Sequence, residues 1–62
     1  MNEIKLLKIK EVEIKTGLKQ STIYAYQKVG MFPMRVKLGK KAVAWRSDEI
    51  EEWIENLPRA DQ

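Results

Sequence analysis

The chain has 62 residues, with 12 Lys and Arg against 9 Asp and Glu, and it contains neither Cys nor His. A chain of this length forms one small domain, which we expect to span residues 1–62 and to be ordered from about residue 7 to residue 57. The absence of Cys and His excludes disulfides and disfavours zinc, so we expect no metal. We also expect no cofactor and no small-molecule substrate.

The positive charge is concentrated in the first part of the chain. Residues 1–46 carry eleven Lys and Arg against three Glu, a net charge of +8, whereas residues 47–62 carry a net charge of −5. This division favours a polyanionic partner such as double-stranded DNA, although it could equally serve only to keep a small domain soluble. No apolar run approaches the roughly 18 residues of a membrane span, so we expect a soluble cytoplasmic protein without a membrane partner.

The segment KEVEIKT, residues 10–16, predicts a short helix with Val12 on its inner side. Gly17 follows where a left-handed residue commonly ends a helix. The preceding segment EIKLLKI is interpreted as a short extended stretch. Lys15 falls where an inward apolar residue fits better, and we expect its aliphatic stem to lie along apolar surface.

A second helix is predicted from about Gln20 to Val29, before Gly30 and the extended Phe32-Pro33 pair. Helical spacing places four residues on its inner face: Thr22, Ile23, Tyr26 and Val29. Five residues share the outer, largely polar face: Gln20, Ser21, Tyr24, Ala25 and Lys28. Two helices joined by a short turn with Gly, the second exposing small polar side chains, are typical of a helix-turn-helix.

Residues 35–45, RVKLGKKAVAW, predict a β-hairpin. Large apolar residues alternate with basic residues in the first half and with alanines in the second half. An even-numbered loop would pair Leu38 with Val43 and Val36 with Trp45, which puts all four side chains on one face. A two-stranded ribbon is marginal alone, so this face should lie on the helices.

The segment SDEIEEWIENL, residues 47–57, predicts a third helix with Ser47 as its N-cap. Its apolar stripe has helical spacing and consists of Ile50, Trp53, Ile54 and Leu57. Its glutamates lie opposite this stripe and should face away from DNA. The expected core comprises Trp45, Trp53, Ile50, Ile54, Phe32 and Ile23.

Motifs along nearly the whole chain carry a resemblance to a known family. They are, in order, KEV, KTGL, STIY, a Gly before FP, VKLG, KAVAW and EIEEWI. In this order the chain resembles the AlpA-type prophage regulators, which are close to small phage excisionases and to the DNA-binding part of MerR-like proteins. The similarity covers about residues 7–57.

The resemblance implies a mainly α fold with a small β-hairpin, a minimal winged helix-turn-helix, in a protein of bacterial or phage origin. It further implies sequence-specific DNA binding, with the second helix in the major groove and the wing on the adjacent backbone or minor groove. The chain departs from the family pattern at three places. Lys19-Gln20 stands where the family often has Ser and Arg, and Lys15 stands where it often has an apolar residue. Met34-Arg35 stands where it often has a basic residue followed by Pro.

The candidate base contacts lie on the outer face of the second helix. Gln can bond adenine through two hydrogen bonds, Ser can bond several base edges, and Ala can meet the thymine methyl group. The candidates are Gln20, Ser21, Tyr24 and Ala25. The ring of Tyr24 could instead pack on the hairpin, leaving its hydroxyl for a phosphate.

The candidate DNA backbone contacts are mostly cationic. Gly39 can take unusual turn dihedrals beside a Lys40-Lys41 tip. Thr22 could bond a phosphate, but capping the helix is the favoured role. The full set is Thr22, Lys28, Lys37, Lys40, Lys41 and Arg46, and the alternative for each Lys is an ordinary solvated side chain.

Three functions are consistent with this sequence. The first is a transcriptional regulator of a prophage or mobile element that binds DNA cooperatively through self-association of several copies. The second is an excisionase-type protein that bends an attachment site. The third is a small protein-interaction module or inhibitor. We expect no enzyme, because Gly39-Lys40-Lys41 lacks the spacing of a phosphate-binding loop and the acids form one solvated face.

Overall fold

The computed structural model describes residues 3–60 and contains three helices and three short strands. In chain order the elements are β1 (Leu6–Leu7), α1 (Ile9–Thr16), α2 (Gln20–Lys28), β2 (Val36–Lys37), β3 (Val43–Arg46) and α3 (Ser47–Glu55). The architecture is mainly helical with a small antiparallel sheet, which confirms the predicted winged helix-turn-helix.

Local hydrogen bonds define both ends of α1. The Lys8 N–H donates to the Glu11 carboxylate at 2.9 Å, which satisfies a free amide at the helix start. Gly17 has a φ of 76° and its N–H donates to the Glu13 carbonyl at 2.8 Å, as the sequence predicted. Lys15 is exposed, and the position of its aliphatic stem along apolar surface stays a prediction.

Helix α2 follows a three-residue turn and buries Ile23 completely, with Tyr26 packed against the core. The prediction that Val29 faces inward is wrong, because this side chain is 67% exposed. Val29 lies beyond the last helical residue, so helical spacing no longer determines its direction. Gln27, not recognised as an inner residue from the sequence, is buried instead.

Strand β3 is central in the sheet, whose strand order is β1-β3-β2. Leu7 pairs with Trp45 on one side, and Val36 pairs with Ala44 on the other. The predicted pairing of Val36 with Trp45 and of Leu38 with Val43 is therefore wrong by one position. A one-residue shift turns each side chain to the opposite face of the sheet. The extended N-terminal segment supplies β1, which pairs with the second edge of β3.

The turn of the hairpin accounts for the shifted register. The Leu38 N–H donates to the Ala42 carbonyl at 2.8 Å, which leaves an odd number of residues, 39–41, in the loop. Gly39 does not adopt a positive φ, contrary to expectation, and within residues 3–60 only Gly17 and Gly30 do.

Helix α3 begins at Ser47, but this residue does not act as the predicted side-chain N-cap. Its hydroxyl accepts a hydrogen bond from the Lys5 N–H at 2.8 Å, and its own N–H donates to the Lys5 carbonyl at 2.8 Å. Ser47 therefore ties the segment before β1 to the start of α3.

The core lies where the three helices meet the sheet. Its buried members are Leu7, Val12, Ile23, Phe32, Trp45 and Ile50. Trp53 and Ile54 pack against this cluster but remain partly exposed. Leu57 is 47% exposed, so the predicted apolar stripe of α3 is buried only along its first part.

Candidate nucleic-acid interface

The outer face of α2 is available to a partner. Gln20, Ser21, Ala25 and Lys28 are all exposed, as helical spacing predicted. The opposite face carries the buried Ile23, so core packing fixes the rotation of the helix and the direction in which the polar face points.

Tyr24 occupies a different position from its neighbours on this face. Its ring is half-buried and lies 6.1 Å from the ring of Trp45, with an interplanar angle of 54°. The guanidinium carbon of Arg35 lies 5.5 Å from the centre of the Tyr24 ring, a cation–π distance. The ring of Tyr24 therefore packs between β3 and Arg35, and its hydroxyl is the group left for polar contact.

Gln27 connects α2 to the segment that leads into the wing, which we define as β2, β3 and residues 38–42. Its Nε2 donates to the Pro33 carbonyl at 2.9 Å, and its Oε1 accepts a hydrogen bond from Arg35 Nη1 at 3.0 Å. The Trp45 indole donates to the same Pro33 carbonyl at 3.1 Å. These bonds satisfy a buried amide and fix Arg35 beside α2.

Arg35 is a candidate that sequence analysis missed. It lies in an open groove of about 560 Å³ between the outer face of α2 and the start of the wing. The residues lining this groove, called here the Arg35 groove, are Ser21, Tyr24, Ala25, Gln27, Lys28, Met34 and Arg35. The signal in the sequence is an additional cation at the first residue of the predicted hairpin.

The wing carries its cations at exposed positions. Lys37 is the last residue of β2, and Lys40 and Lys41 lie in the loop that joins β2 to β3. All three side chains are exposed. Arg35, which lines the groove, directly precedes β2 in the chain.

Arg46 differs from these lysines because it already has acidic partners. Its Nε and Nη2 donate to the two Asp48 carboxylate oxygens at 3.1 and 3.0 Å, and Nε lies 3.9 Å from Glu49. The hydrogen bond to Arg46 holds the pKa of the Asp48 carboxyl below its ordinary value. The same bond raises the pKa of Arg46.

Thr22 is half-buried in the first turn of α2, where Lys19 occupies the N-cap position. The predicted capping role is not observed, since within the described part of α2 and its flanks no side-chain bond caps this end.

Helix α3 carries exposed acidic residues at Glu49, Glu51, Glu52 and Glu55. Two of them, Glu49 and Glu52, line a second open groove that also includes Arg35. Across residues 3–60, no group of three or more potential metal-ligating side chains is arranged around a common point. The same residues include no helix with the length and apolar character needed to cross a bilayer.

Comparison with known proteins identifies relatives of the same kind. Residues 5–59 match the family described as prophage CP4-57 regulatory protein (AlpA). The chain is 42% identical over 50 residues to uncharacterized protein ORF88 of Enterobacteria phage P4, an alignment covering 81% of this chain and 57% of that protein. It is also 33% identical over 57 residues to the DNA-binding transcriptional activator AlpA of Escherichia coli (strain K12), covering 82% and 81% of the two chains.

The chain thus spans just over half the length of the phage P4 relative, and most of the length of the activator. The family match extends from the segment before β1 to beyond the end of α3, so it includes every element of the fold. This chain belongs to the AlpA family of prophage regulatory proteins.

Proposed function

We propose that this protein is a sequence-specific DNA-binding transcriptional regulator of a prophage or mobile element. Helix α2 enters the major groove, and the wing contacts the adjacent backbone or minor groove. The observation that carries this proposal is the exposed polar face of α2 beside a groove lined by Lys28 and Arg35. Membership of the AlpA family and similarity to a transcriptional activator support it.

Base recognition is assigned to the outer face of α2. The exposed amide of Gln20 has the donor and acceptor needed to bond adenine. The exposed Ser21 hydroxyl can donate a hydrogen bond to a base edge or accept one from it. The Ala25 methyl group is exposed one turn further on and suits a thymine methyl. Tyr24 contributes through its hydroxyl, because its ring packs between Trp45 and Arg35.

Backbone contact is assigned to Lys28 and to the wing lysines Lys37, Lys40 and Lys41, which are exposed. Each neutralised phosphate releases about 0.9 counterion, so four such contacts make binding steeply salt-dependent. Thr22 and Arg46 are assigned supporting contacts. Arg46 would have to share its guanidinium between Asp48 and a phosphate, so we expect it to contribute less than the wing lysines.

Cooperative binding follows from the small size of the domain. A single module of this kind buries about 600–1,000 Å² on DNA, which limits the affinity of one copy. We therefore propose that several copies bind repeated sites and contact one another there. DNA is the partner on this account, and the protein would act in the bacterial cytoplasm with the nucleoid, without a membrane, cofactor, small-molecule substrate or catalytic step.

The experiment that tests this function is a selection of bound duplexes from a random pool, run at two salt concentrations. We expect a defined consensus, stronger enrichment at the lower salt concentration, and electrophoretic bands of increasing protein stoichiometry. A pool that stays random, with no band shift at low salt, would contradict DNA binding. A single band of monomer stoichiometry at every protein concentration would contradict cooperativity.

A second experiment separates the regulator from the excisionase-type alternative. The selected duplex is placed upstream of a reporter gene, and the same protein is added to an excision assay in vitro. The proposal expects a change in reporter expression that Ser21→Ala weakens. Stimulated excision with an unchanged reporter would favour the excisionase function, and salt-insensitive capture of a protein without DNA binding would favour an interaction module.

A further inference from the structure

We propose that the Arg35 groove is a phosphate-binding site, in which the Arg35 guanidinium holds a phosphodiester of the duplex backbone. This inference rests on the proposed DNA-binding function and adds a contact to it. It assigns a role to a residue outside the α2 face and outside the lysines of the wing.

Arg35 is held in place before any ligand arrives. Its Nη1 donates to Gln27 Oε1 at 3.0 Å, and its guanidinium lies over the Tyr24 ring at 5.5 Å. Gln27 is 7% exposed and is itself anchored by its bond to the Pro33 carbonyl. A guanidinium fixed on two sides loses little conformational freedom on binding, which favours a strong contact.

The remaining donors of Arg35 are available to a ligand. A guanidinium carries five N–H donors, and the bond to Gln27 uses one of them. Among residues 3–60, the ion pairs within 4.0 Å involve Arg46 with Asp48 and Glu49, so Arg35 keeps its charge unpaired there. The two arginines thus have different environments, although both flank the hairpin.

The lining of the groove favours an anion. It provides the cations Lys28 and Arg35 and the hydroxyls of Ser21 and Tyr24, and no carboxylate lines it. Arg35 also lines a second groove with Glu49 and Glu52, but among residues 3–60 neither carboxylate forms an ion pair with it within 4.0 Å. The amide oxygen of Gln27 already accepts the Arg35 bond. Phosphate oxygens accept from Arg and Lys side chains, and at least half of the hydrogen bonds between proteins and DNA go to phosphate oxygens and sugars. The cationic part of the groove, formed by Lys28 and Arg35, therefore suits a phosphodiester.

The test measures binding of the full chain to two probes over a salt series: a mixed-sequence duplex pool and the duplex selected as described above. The variants are Arg35→Ala, Arg35→Lys and the matched control Arg59→Ala, an exposed arginine beyond α3. Circular dichroism and thermal unfolding of each variant establish that it is folded.

We expect Arg35→Ala to weaken binding to both probes by the same factor, roughly tenfold at low salt, since it removes a charge-assisted hydrogen bond. The slope of log affinity against log salt should fall by about 0.9. Arg35→Lys should retain the wild-type slope but bind more weakly than wild type, because it keeps the charge and loses the planar fork. Arg59→Ala should match wild type.

Two results would overturn the phosphate site while leaving DNA binding intact. One is an Arg35→Ala protein that binds both probes like Arg59→Ala. The other is a loss confined to the selected duplex with an unchanged salt slope, which would make Arg35 a base-reading residue. If the wild-type protein binds neither probe, the proposed function itself fails, and the phosphate site fails with it.

Discussion

Gln27 and Trp45 donate hydrogen bonds to the same oxygen, the main-chain carbonyl of Pro33, at 2.9 and 3.1 Å. This shared acceptor joins α2, the segment before the wing and β3 at one point. It therefore fixes the position of the wing relative to the helix that we propose to read DNA. Because Gln27 and Trp45 are both buried, water replaces these bonds poorly when either partner is removed.

The first prediction concerns Gln27. Gln27→Met keeps the volume of the side chain but removes its bonds to Pro33 and Arg35, and we expect it to lower the free energy of unfolding by about 1–2 kcal/mol. Urea denaturation followed by circular dichroism measures this loss. Gln20→Met on the exposed face is the control and should stay within about 0.5 kcal/mol of wild type. Equal stability of the two variants would show that the buried amide contributes nothing.

The second prediction contrasts the two tryptophans. Trp45 is completely buried, and Trp45→Ala should cost about 3–5 kcal/mol. Proteins are commonly stable by roughly 0.05–0.15 kcal/mol per residue, so this loss is comparable with the whole stability of the domain. Trp53 is partly exposed, with its ring 4.7 Å from Phe32, and Trp53→Ala should leave a folded but weakened protein.

Circular dichroism and thermal unfolding of the two tryptophan variants test this order. The expected result is a cooperative transition for Trp53→Ala at a reduced midpoint and little or no transition for Trp45→Ala. A folded Trp45→Ala protein together with an unfolded Trp53→Ala protein would contradict this prediction. It would mean that the packing of α3 contributes more to stability than the packing of β3.

The third prediction concerns backbone conformation at the glycines. Gly17 has a φ of 76°, and an added Cβ there meets no atom within 4 Å, so the cost of Gly17→Ala is conformational. We expect a loss of about 1–2 kcal/mol. Gly39→Ala is the matched control, because the same open space surrounds a residue without a positive φ. It should leave stability unchanged or raise it by up to about 1 kcal/mol, as judged by urea denaturation.

The fourth prediction concerns acid sensitivity. The pKa of Asp48 lies below its ordinary value of 3.8, so the charged form of this carboxyl is favoured in the folded state. Its stabilising contribution is present above pH 3.8 and is lost as the pH falls from there through the lowered pKa. Asp48→Asn should therefore flatten the dependence of stability on pH in this acid range.

Unfolding measured as a function of pH tests this assignment, with Arg46→Met as the partner variant. Removing the guanidinium should flatten the same range, because it removes the hydrogen bond that lowers the Asp48 pKa. A curve for Asp48→Asn that parallels wild type below pH 3.8 would disprove the contribution of this ion pair.

The helices could be predicted from the sequence because their signals are local. Gly17 ends α1 through its own backbone conformation, and the alternation of Ile23 and Tyr26 with polar residues defines the inner face of α2. The exposure of Gln20 and Ser21 follows from the same periodicity. Their contacts with DNA remain a prediction.

The errors involve partners that are distant in the sequence. Trp45 pairs with Leu7 from the other edge of the sheet, and the pattern of the hairpin alone does not reveal this partner. Gln27 is polar and was not placed in the interior, because its partners Pro33 and Arg35 lie beyond the helix. Arg35 itself gains its fixed position from Gln27 and Tyr24, which no local pattern reveals.

An NMR titration of the full chain with the selected duplex tests the central claim most directly. We expect amide shifts to concentrate on the outer face of α2, at Gln20, Ser21 and Ala25, and on the Lys40-Lys41 loop. The exposed glutamates of α3 should remain unshifted. Shifts concentrated on those glutamates, with the outer face of α2 unchanged, would contradict the proposal that α2 reads the DNA.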